Sequence, residues 1–171
     1  MAKTKITSAE YFKTINMIYY FMLGGQLLLG AISIYLAVNN TLGIDDELLD
    51  KVMMIAVSLY FVVGMAGSYI FFKKRLSKTV EMKNFMEKTA SYRGGLILHY
   101  AMIEGIALLA IVGFMVTGIK LLIAYLAVTV AYFYMLKPSK EKMASELNLN
   151  PAEIGLINNP DSVISEIETT Y

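Results

Sequence analysis

Four long runs of apolar residues alternate along the chain with polar, charge-rich segments. The runs cover residues 15–38, 52–72, 94–118 and 119–136. Each approaches the roughly 20 residues that a helix needs to cross about 30 Å of hydrocarbon. Backbone groups within lipid must be hydrogen-bonded inside their own segment, and the alternation typical of outer-membrane strands is missing. Each run therefore predicts a transmembrane helix.

The first helix is expected to begin before its apolar run. Thr7-Ser8-Ala9-Glu10 has the pattern of a capping box, in which Thr7 and Glu10 each accept from an otherwise unpaired backbone N–H. A helix start near Ser8 follows. The run itself is too long for a signal peptide and no small-residue cleavage pattern follows it, so we expect it to remain in the mature protein.

Cationic residues concentrate on one side of the four spans. Thirteen of the fifteen lysines and arginines fall in the N-terminal segment, the second loop and the C-terminal tail. The first loop is acidic instead and carries Asp45, Asp46, Glu47 and Asp50. Because cytoplasmic flanks retain the excess of positive charge, both termini are expected on the cytoplasmic side of a bacterial inner membrane. An even number of crossings agrees with this orientation.

The polar segments leave two structural questions open. Residues 73–93 mix basic and apolar positions, which suits either a solvated connector or an amphipathic helix on anionic lipid. In the tail, Asn150-Pro151 and Asn159-Pro160 each place a capping Asn before a proline at the first helical position. Two or three short helices are expected there. The fold class is therefore all-α, with a four-helix transmembrane domain at 1–137 and a cytoplasmic tail at 138–171.

Composition agrees with a membrane protein and excludes several functions. Hydrophobic residues make up 57% of the chain and charged residues 17%, with a mean hydropathy of +0.56. Soluble domains carry about 25% charged residues. The net charge of +1 leaves no basic excess for nucleic acid. The chain has no cysteine and one histidine, so we expect no metal site. No nucleophile, phosphate-loop or zinc-protease motif is present, and neither an enzyme nor a cofactor is expected.

Glu104 is the principal candidate for chemistry. It lies about ten residues into the third span, roughly 15 Å from the end at Gly94 and near the middle of the hydrocarbon. A carboxylate there costs at least about 2.5 to 3.5 kcal/mol on insertion scales, so it is expected to face other helices, a polar cavity or a partner. Matching depths along the helices places Gln26 and Thr129 at the same level. The sequence predicts a polar layer of these three residues.

His99 is the second candidate, and it has two interpretations. It is either a neutral histidine packed between helices or part of a proton relay. Five residues turn a helix by about 140°, so His99 and Glu104 are not paired on one face. Tyr20 and Tyr69 match the depth of His99 and are possible hydrogen-bond partners. Tyr100 belongs to the same group of relay or packing residues.

One short segment resembles a known family. The sequence Ala-Met-Ile-Glu-Gly-Ile-Ala-Leu-Leu-Ala-Ile-Val at 101–112 resembles the ion-carrying helix of subunit c of rotary ATP synthases. In that family a midmembrane carboxylate in an Ala-x-x-Glu-(Gly/Ala) setting binds H⁺ or Na⁺. The resemblance covers about a dozen residues and implies reversible protonation or Na⁺ binding at Glu104. As a whole the chain resembles uncharacterised four-helix integral membrane proteins of bacteria.

Two functions remain open at this point. The first is a component of proton- or cation-linked transport, with Glu104 as the titrating group. The second is a non-catalytic membrane scaffold or assembly factor, in which Glu104 is a neutral hydrogen-bonding group between helices. A chain of 171 residues is small for a complete transporter. A homo-oligomer or a larger membrane complex is therefore expected, with membrane lipids as the other partners.

Overall fold

The structure is a computed structural model that describes residues 2–39, 43, 44 and 46–169. Its elements are β1 (Ala2–Thr7), α1 (Ser8–Val38), α2 (Glu47–Val80), α3 (Phe85–Thr117), α4 (Lys120–Met135), α5 (Lys140–Glu146), α6 (Pro151–Asn158) and β2 (Val163–Thr169). The expected helical class is confirmed, and a two-stranded sheet adds to it. Asp45, which was counted in the acidic first loop, lies outside the described residues.

Three of the helices, α1, α2 and α3, are long and apolar enough to cross a membrane. Helix α4 passes the same test only together with α5, from which an 85° bend separates it. Half of the apolar window of α3 is buried, compared with 17% in α1 and in α2. The chain is thus helical with three to four long apolar helices, which fits a membrane protein, and α3 is the most enclosed of the three long ones.

The segment at 73–93 is neither an open connector nor a separate surface helix. Helix α2 continues to Val80 and α3 already begins at Phe85, so only four residues join them. The two helix ends pack because they carry buried side chains such as Leu76 and Tyr92. The hydroxyls of Thr79 and Ser91 lie 2.8 Å apart and hydrogen-bond the two helices to each other.

The chain divides into two compact units. The first, here called the polar unit, comprises Met1–Tyr19, Ile70–His99 and Lys137–Tyr171. The second, the apolar unit, comprises Tyr20–Tyr69 and Tyr100–Leu136. The tail after residue 137 therefore does not form a unit by itself. It belongs with the N-terminal segment and the hairpin of α2 and α3, because the two chain ends pair with each other.

That pairing is the antiparallel sheet of β1 and β2, which the sequence pattern did not predict. Thr4 lies opposite Ile167 and Lys5 opposite Glu166, with an irregularity between Ile6 and Thr7. Ile164 of β2 is fully buried in the polar unit. Its carbonyl accepts a hydrogen bond from the Thr89 hydroxyl on α3. The sheet therefore ties both ends of the chain to the helical hairpin.

The expected helix start at Asn159-Pro160 is wrong. This segment is a turn that leads into β2, and its carbonyl oxygens accept hydrogen bonds from the first residues of α1. The backbone N–H of Ser8 donates to Ser162 O at 2.8 Å, and that of Ala9 to Pro160 O at 3.1 Å. Two otherwise unpaired donors at a helix N-terminus are satisfied in this way. Pairing with α1 and β1 overrides the local capping signal.

The capping box predicted at Thr7 is confirmed, and the predicted capping Asn150 is confirmed and proves to belong to a second capping box. At the start of α1, the Thr7 N–H donates to Glu10 Oε2 at 3.0 Å, and the Glu10 N–H donates to Thr7 Oγ1 at 3.3 Å. At the start of α6, Asn150 and Glu153 exchange the equivalent bonds, both at 2.9 Å. Local side-chain chemistry therefore fixes these two helix starts.

The apolar unit is built around α3 and α4. Its core cluster is Val57, Ala107, Ala110, Ile111, Phe114, Leu122 and Leu126. The two helices are joined by a tight turn at Gly118, whose φ of 71° favours glycine. The first loop lies against the end of α3, since Gly43 N–H and Ile44 N–H donate to Met115 O and Val116 O. Helix α1 therefore ends beside the end of α3, and it runs antiparallel to α4.

Candidate site at the level of Glu104

The level of Gln26 is set by the contact between α1 and α4. A Cβ atom on Gly30 would come within 2.9 Å of Leu126 Cδ2, so the absence of a side chain lets the helices approach closely. Gln26 lies one turn before Gly30, and Thr129 lies nearly one turn after Leu126. Because the helices are antiparallel, the two residues fall at the same level.

The level of Glu104 follows from the contacts between α3 and α4. A Cβ atom on Gly113 would lie 3.0 Å from Leu122 Cδ1, and the rings of Tyr100 and Phe133 are 5.2 Å apart. In an antiparallel pair with these two contacts, the residue opposite Glu104 is Thr129 or its neighbour. Gln26, Glu104 and Thr129 thus share one level of the apolar unit.

The three residues are not joined by hydrogen bonds among the described residues. The Thr129 hydroxyl donates to Tyr125 O of its own helix at 2.8 Å. The Gln26 side chain is fully buried, and neither Nε2 nor Oε1 has a partner within the described chain. The Glu104 carboxylate forms no described hydrogen bond or ion pair. The three residues therefore lie at the same depth along their helices but do not form a hydrogen-bonded network.

Glu104 lies at the border between the buried and the exposed face of α3. Ile103 and Ala107 on one side are completely buried. Leu98 and Val112 on the other side are 41% and 50% exposed. Glu104 itself is partly buried. Its carboxylate is thus accessible from outside the unit, and among the described residues of the unit it has no cation or hydrogen-bond donor as a partner.

Two polar features near this level were missed by the sequence analysis. A Cβ atom on Gly105 would lie 3.5 Å from the Tyr60 hydroxyl of α2, which places a phenol beside the residue that follows Glu104. The hydroxyls of Ser58 and Tyr125 are 3.0 Å apart, and the Tyr125 ring stacks on Phe61 with centroids at 4.7 Å. Depth matching for these tyrosines would have found them, since α2 runs antiparallel to α3.

An apolar groove of about 870 Å³ lies between α1 and α4. The groove is lined by Gln26 and by small residues of both helices, namely Gly30, Ala31, Ala127 and Ala131. Exposed large apolar side chains on α1 include Phe21, which is 83% exposed, and Leu28. The groove is an apolar surface of the kind that packs against lipid chains or another helix.

The predicted relay residues are divided between the units. His99 lies in the polar unit with 1% of its surface exposed, and its ring stacks on Phe72 at 4.8 Å and 19°. Tyr100 lies in the apolar unit, where its hydroxyl donates to Leu136 O at 2.9 Å. Tyr20 and Tyr69 are also in the apolar unit, each about half exposed.

The described residues include no group of three or more His, Cys, Asp or Glu side chains that could hold a metal ion.

No protein-family model, no curated protein and no solved structure matches the chain.

Proposed function

We propose that the protein is a membrane subunit of a homo-oligomer or larger complex that takes part in proton- or cation-linked transport, with Glu104 as the titrating group. The observation that carries this proposal is the Glu104 carboxylate, which has no described partner although it belongs to an apolar helix. Gln26 and Thr129 share its level and provide the polar surroundings.

The energetic argument starts from the cost of the carboxylate. An ionised carboxylate at the centre of a membrane helix costs at least about 2.5 to 3.5 kcal/mol on insertion scales. Without a partner among the described residues, the group relieves this cost by taking up a proton, by binding a cation or by meeting a donor from another subunit. Its place at the border of the exposed face makes it accessible to all three.

The paired chain ends support four crossings. Strands β1 and β2 belong to one sheet, which favours both ends of the chain on one side of the membrane. This arrangement favours an even number of spans, in which α4 crosses in addition to α1, α2 and α3. Its 16 residues extend about 24 Å, and Lys120 at its start reaches the interface with its long side chain. The bias of the lysines favours both ends on the cytoplasmic side of a bacterial inner membrane.

Cation-dependent stability tests this function. The purified protein is unfolded by heat in detergent with Na⁺, K⁺ or a bulky organic cation at constant ionic strength, over a range of pH. A ligand that binds the folded state raises its stability by mass action. We expect one inorganic cation or the proton to shift the midpoint of the wild type, and this shift to vanish in Glu104→Gln.

Glu81→Gln is the matched control, since it removes an exposed carboxylate from the short loop between α2 and α3. The shift is expected to survive in this variant. Equal responses of the wild type and Glu104→Gln would contradict the proposed function.

A second function, the non-catalytic scaffold or assembly factor, is favoured by the groove between α1 and α4. Its small residues permit the close approach of a helix from a partner. In this case Glu104 is a neutral group that hydrogen-bonds the partner, and the neutral isostere in Glu104→Gln preserves both assembly and cellular function. Glu104→Ala, which removes the hydrogen bond, then weakens the assembly. Loss of function in Glu104→Gln with intact assembly would favour transport.

A further inference from the structure

A basic pocket of about 460 Å³ lies in the polar unit, apart from Glu104. Its lining residues are Phe71, Lys74, Arg75, Lys78, Met82 and Ser91. The three cationic side chains follow one another over about one turn of α2. Ser91 on α3 closes the opposite side, held by the 2.8 Å contact of its hydroxyl with Thr79.

No described carboxylate neutralises this charge. Lys74, Arg75 and Lys78 form no described ion pair, and the pocket lining contains no acidic residue. The Nε atom of Arg75 is buried and has no hydrogen-bond partner among the described residues. A buried guanidinium donor without an acceptor is costly. Together with the exposed Lys74 and Lys78, this donor calls for an anion with several acceptor oxygens.

Two glycines hold Arg75 in position. A Cβ atom on Gly95 would lie 2.9 Å from Arg75 Cδ, and one on Gly94 would lie 3.2 Å from Nη2. The arginine side chain therefore lies directly on the backbone of α3, where any larger residue would displace it. This packing orients the guanidinium before a ligand binds. Its planar fork matches the oxygens of a phosphate group.

The pocket also has an apolar wall at the end of an apolar segment. Phe71 belongs to the last turn of the run at 52–72, after which the lysines begin. Met82 adds a second apolar surface. The change from apolar to basic residues along α2 marks the level of lipid headgroups. A ligand at this position meets cations at one end and apolar side chains at the other.

We propose that this pocket binds the phosphate headgroup of an anionic phospholipid, with Arg75 as the central ligand and Lys74 and Lys78 beside it. Phe71 and Met82 contact the start of the acyl chains. These apolar contacts favour a lipid over a soluble phosphate, which would use only the cationic part of the pocket. Basic pockets beside membrane helices bind anionic headgroups in this way.

Native mass spectrometry of the full chain in detergent tests the proposal, with phosphatidylglycerol and phosphatidylcholine supplied in equal amounts. We expect the wild type to retain phosphatidylglycerol preferentially. Arg75→Gln should reduce its apparent affinity by roughly fivefold, the effect of losing one cation at the headgroup. Lys74→Gln should also reduce the affinity for phosphatidylglycerol. Because Lys74 is exposed, this substitution should not affect folding. Gly95→Ala keeps every charge but displaces Arg75, and a similar loss is expected.

Lys83→Gln is the matched control, because Lys83 is exposed and lies in the adjoining loop but does not line the pocket. It should change the affinity less than twofold. If Lys83→Gln weakens binding as much as Arg75→Gln, general surface charge explains the preference and the site is refuted. If inorganic phosphate or glycerol phosphate displaces the lipid at comparable concentration, the pocket is a soluble-anion site and the lipid assignment is wrong.

Discussion

Gly30 on α1 and Leu126 on α4 are so close that a Cβ atom on Gly30 would lie 2.9 Å from Leu126 Cδ2. This contact brings the two helices together and sets the relative level of Gln26 and Thr129. It also forms part of the floor of the apolar groove. The geometry of the candidate site therefore depends on the size of the residue at position 30.

Gly30→Val is expected to destabilise the apolar unit. The added atoms would overlap Leu126, and overpacking of this kind costs typically about 1 to 3 kcal/mol. Gly24→Val on the same helix is the matched control, because a Cβ atom on Gly24 would have no neighbouring atom within 4 Å. Thermal unfolding in detergent measures both variants. Equal midpoints for the two would show that α1 and α4 do not pack through Gly30.

Ile164→Ala is expected to loosen the pairing of the chain ends. Ile164 is completely buried, and truncation of a buried isoleucine costs about 2 to 5 kcal/mol. Hydrogen exchange of the β1 amides should accelerate together with that of β2, since the strands form one sheet. Leu156→Ala on α6, where the leucine is 41% exposed, should leave exchange in β1 nearly unchanged. Unaltered protection of β1 in Ile164→Ala would contradict the sheet.

The hydroxyl pair of Ser58 and Tyr125 should show a measurable coupling. A double-mutant cycle with Ser58→Ala and Tyr125→Phe removes the 3.0 Å hydrogen bond but leaves the ring of residue 125 stacked on Phe61. We expect a coupling free energy of about 0.5 to 1.5 kcal/mol in unfolding measurements. Additive effects of the two substitutions would mean that α2 and α4 are not joined at this point.

Cysteine labelling tests the number of crossings, and the chain has no native cysteine to interfere. Lys5→Cys, Lys83→Cys and Asp161→Cys are expected to react from one side of the membrane, and Leu48→Cys from the other. With a membrane-impermeant maleimide on intact cells, only Leu48→Cys should react. If Lys5→Cys and Asp161→Cys react from opposite sides, the number of spans is odd, and α4 does not cross.

The helical part of the fold was predictable because its signals are local. Apolar runs of about 20 residues mark the long helices. The capping box at Thr7 and the capping Asn150 before Pro151 mark two of the helix starts, since a side chain and a backbone donor a few residues apart decide each of them. The boundary between the runs at 94–118 and 119–136 likewise marks the turn at Gly118, whose φ in the structure is 71°.

The sheet and the basic pocket were not predictable, because each depends on residues far apart in the sequence. Lys5 and Glu166 pair across almost the whole chain, and nothing near either residue indicates the other. The same long-range pairing overrides the capping signal at Asn159. Arg75 and Gly95 lie on different helices, and their contact exists only because α2 extends beyond its apolar run.

At the candidate site, depth along the helices was predictable, whereas side-chain contacts were not. Counting residues placed Gln26, Glu104 and Thr129 at one level, and the contacts of α4 with α1 and α3 give the same register. Which side-chain atoms form hydrogen bonds depends on the rotation of each helix about its axis and on the side-chain rotamers. The Thr129 hydroxyl accordingly donates to Tyr125 O of its own helix, and the Tyr60 hydroxyl near Gly105 was not predicted.

Proton exchange at Glu104 is the most direct test of the central proposal. Proton release by the purified protein in nanodiscs is measured between mildly acidic and mildly basic pH, with and without Na⁺ or K⁺, for the wild type, Glu104→Gln and the control Glu81→Gln. The proposal predicts one titration step that a cation shifts, that Glu81→Gln retains and that Glu104→Gln lacks. Identical cation-dependent titrations of the wild type and Glu104→Gln would contradict an exchange function for this carboxylate.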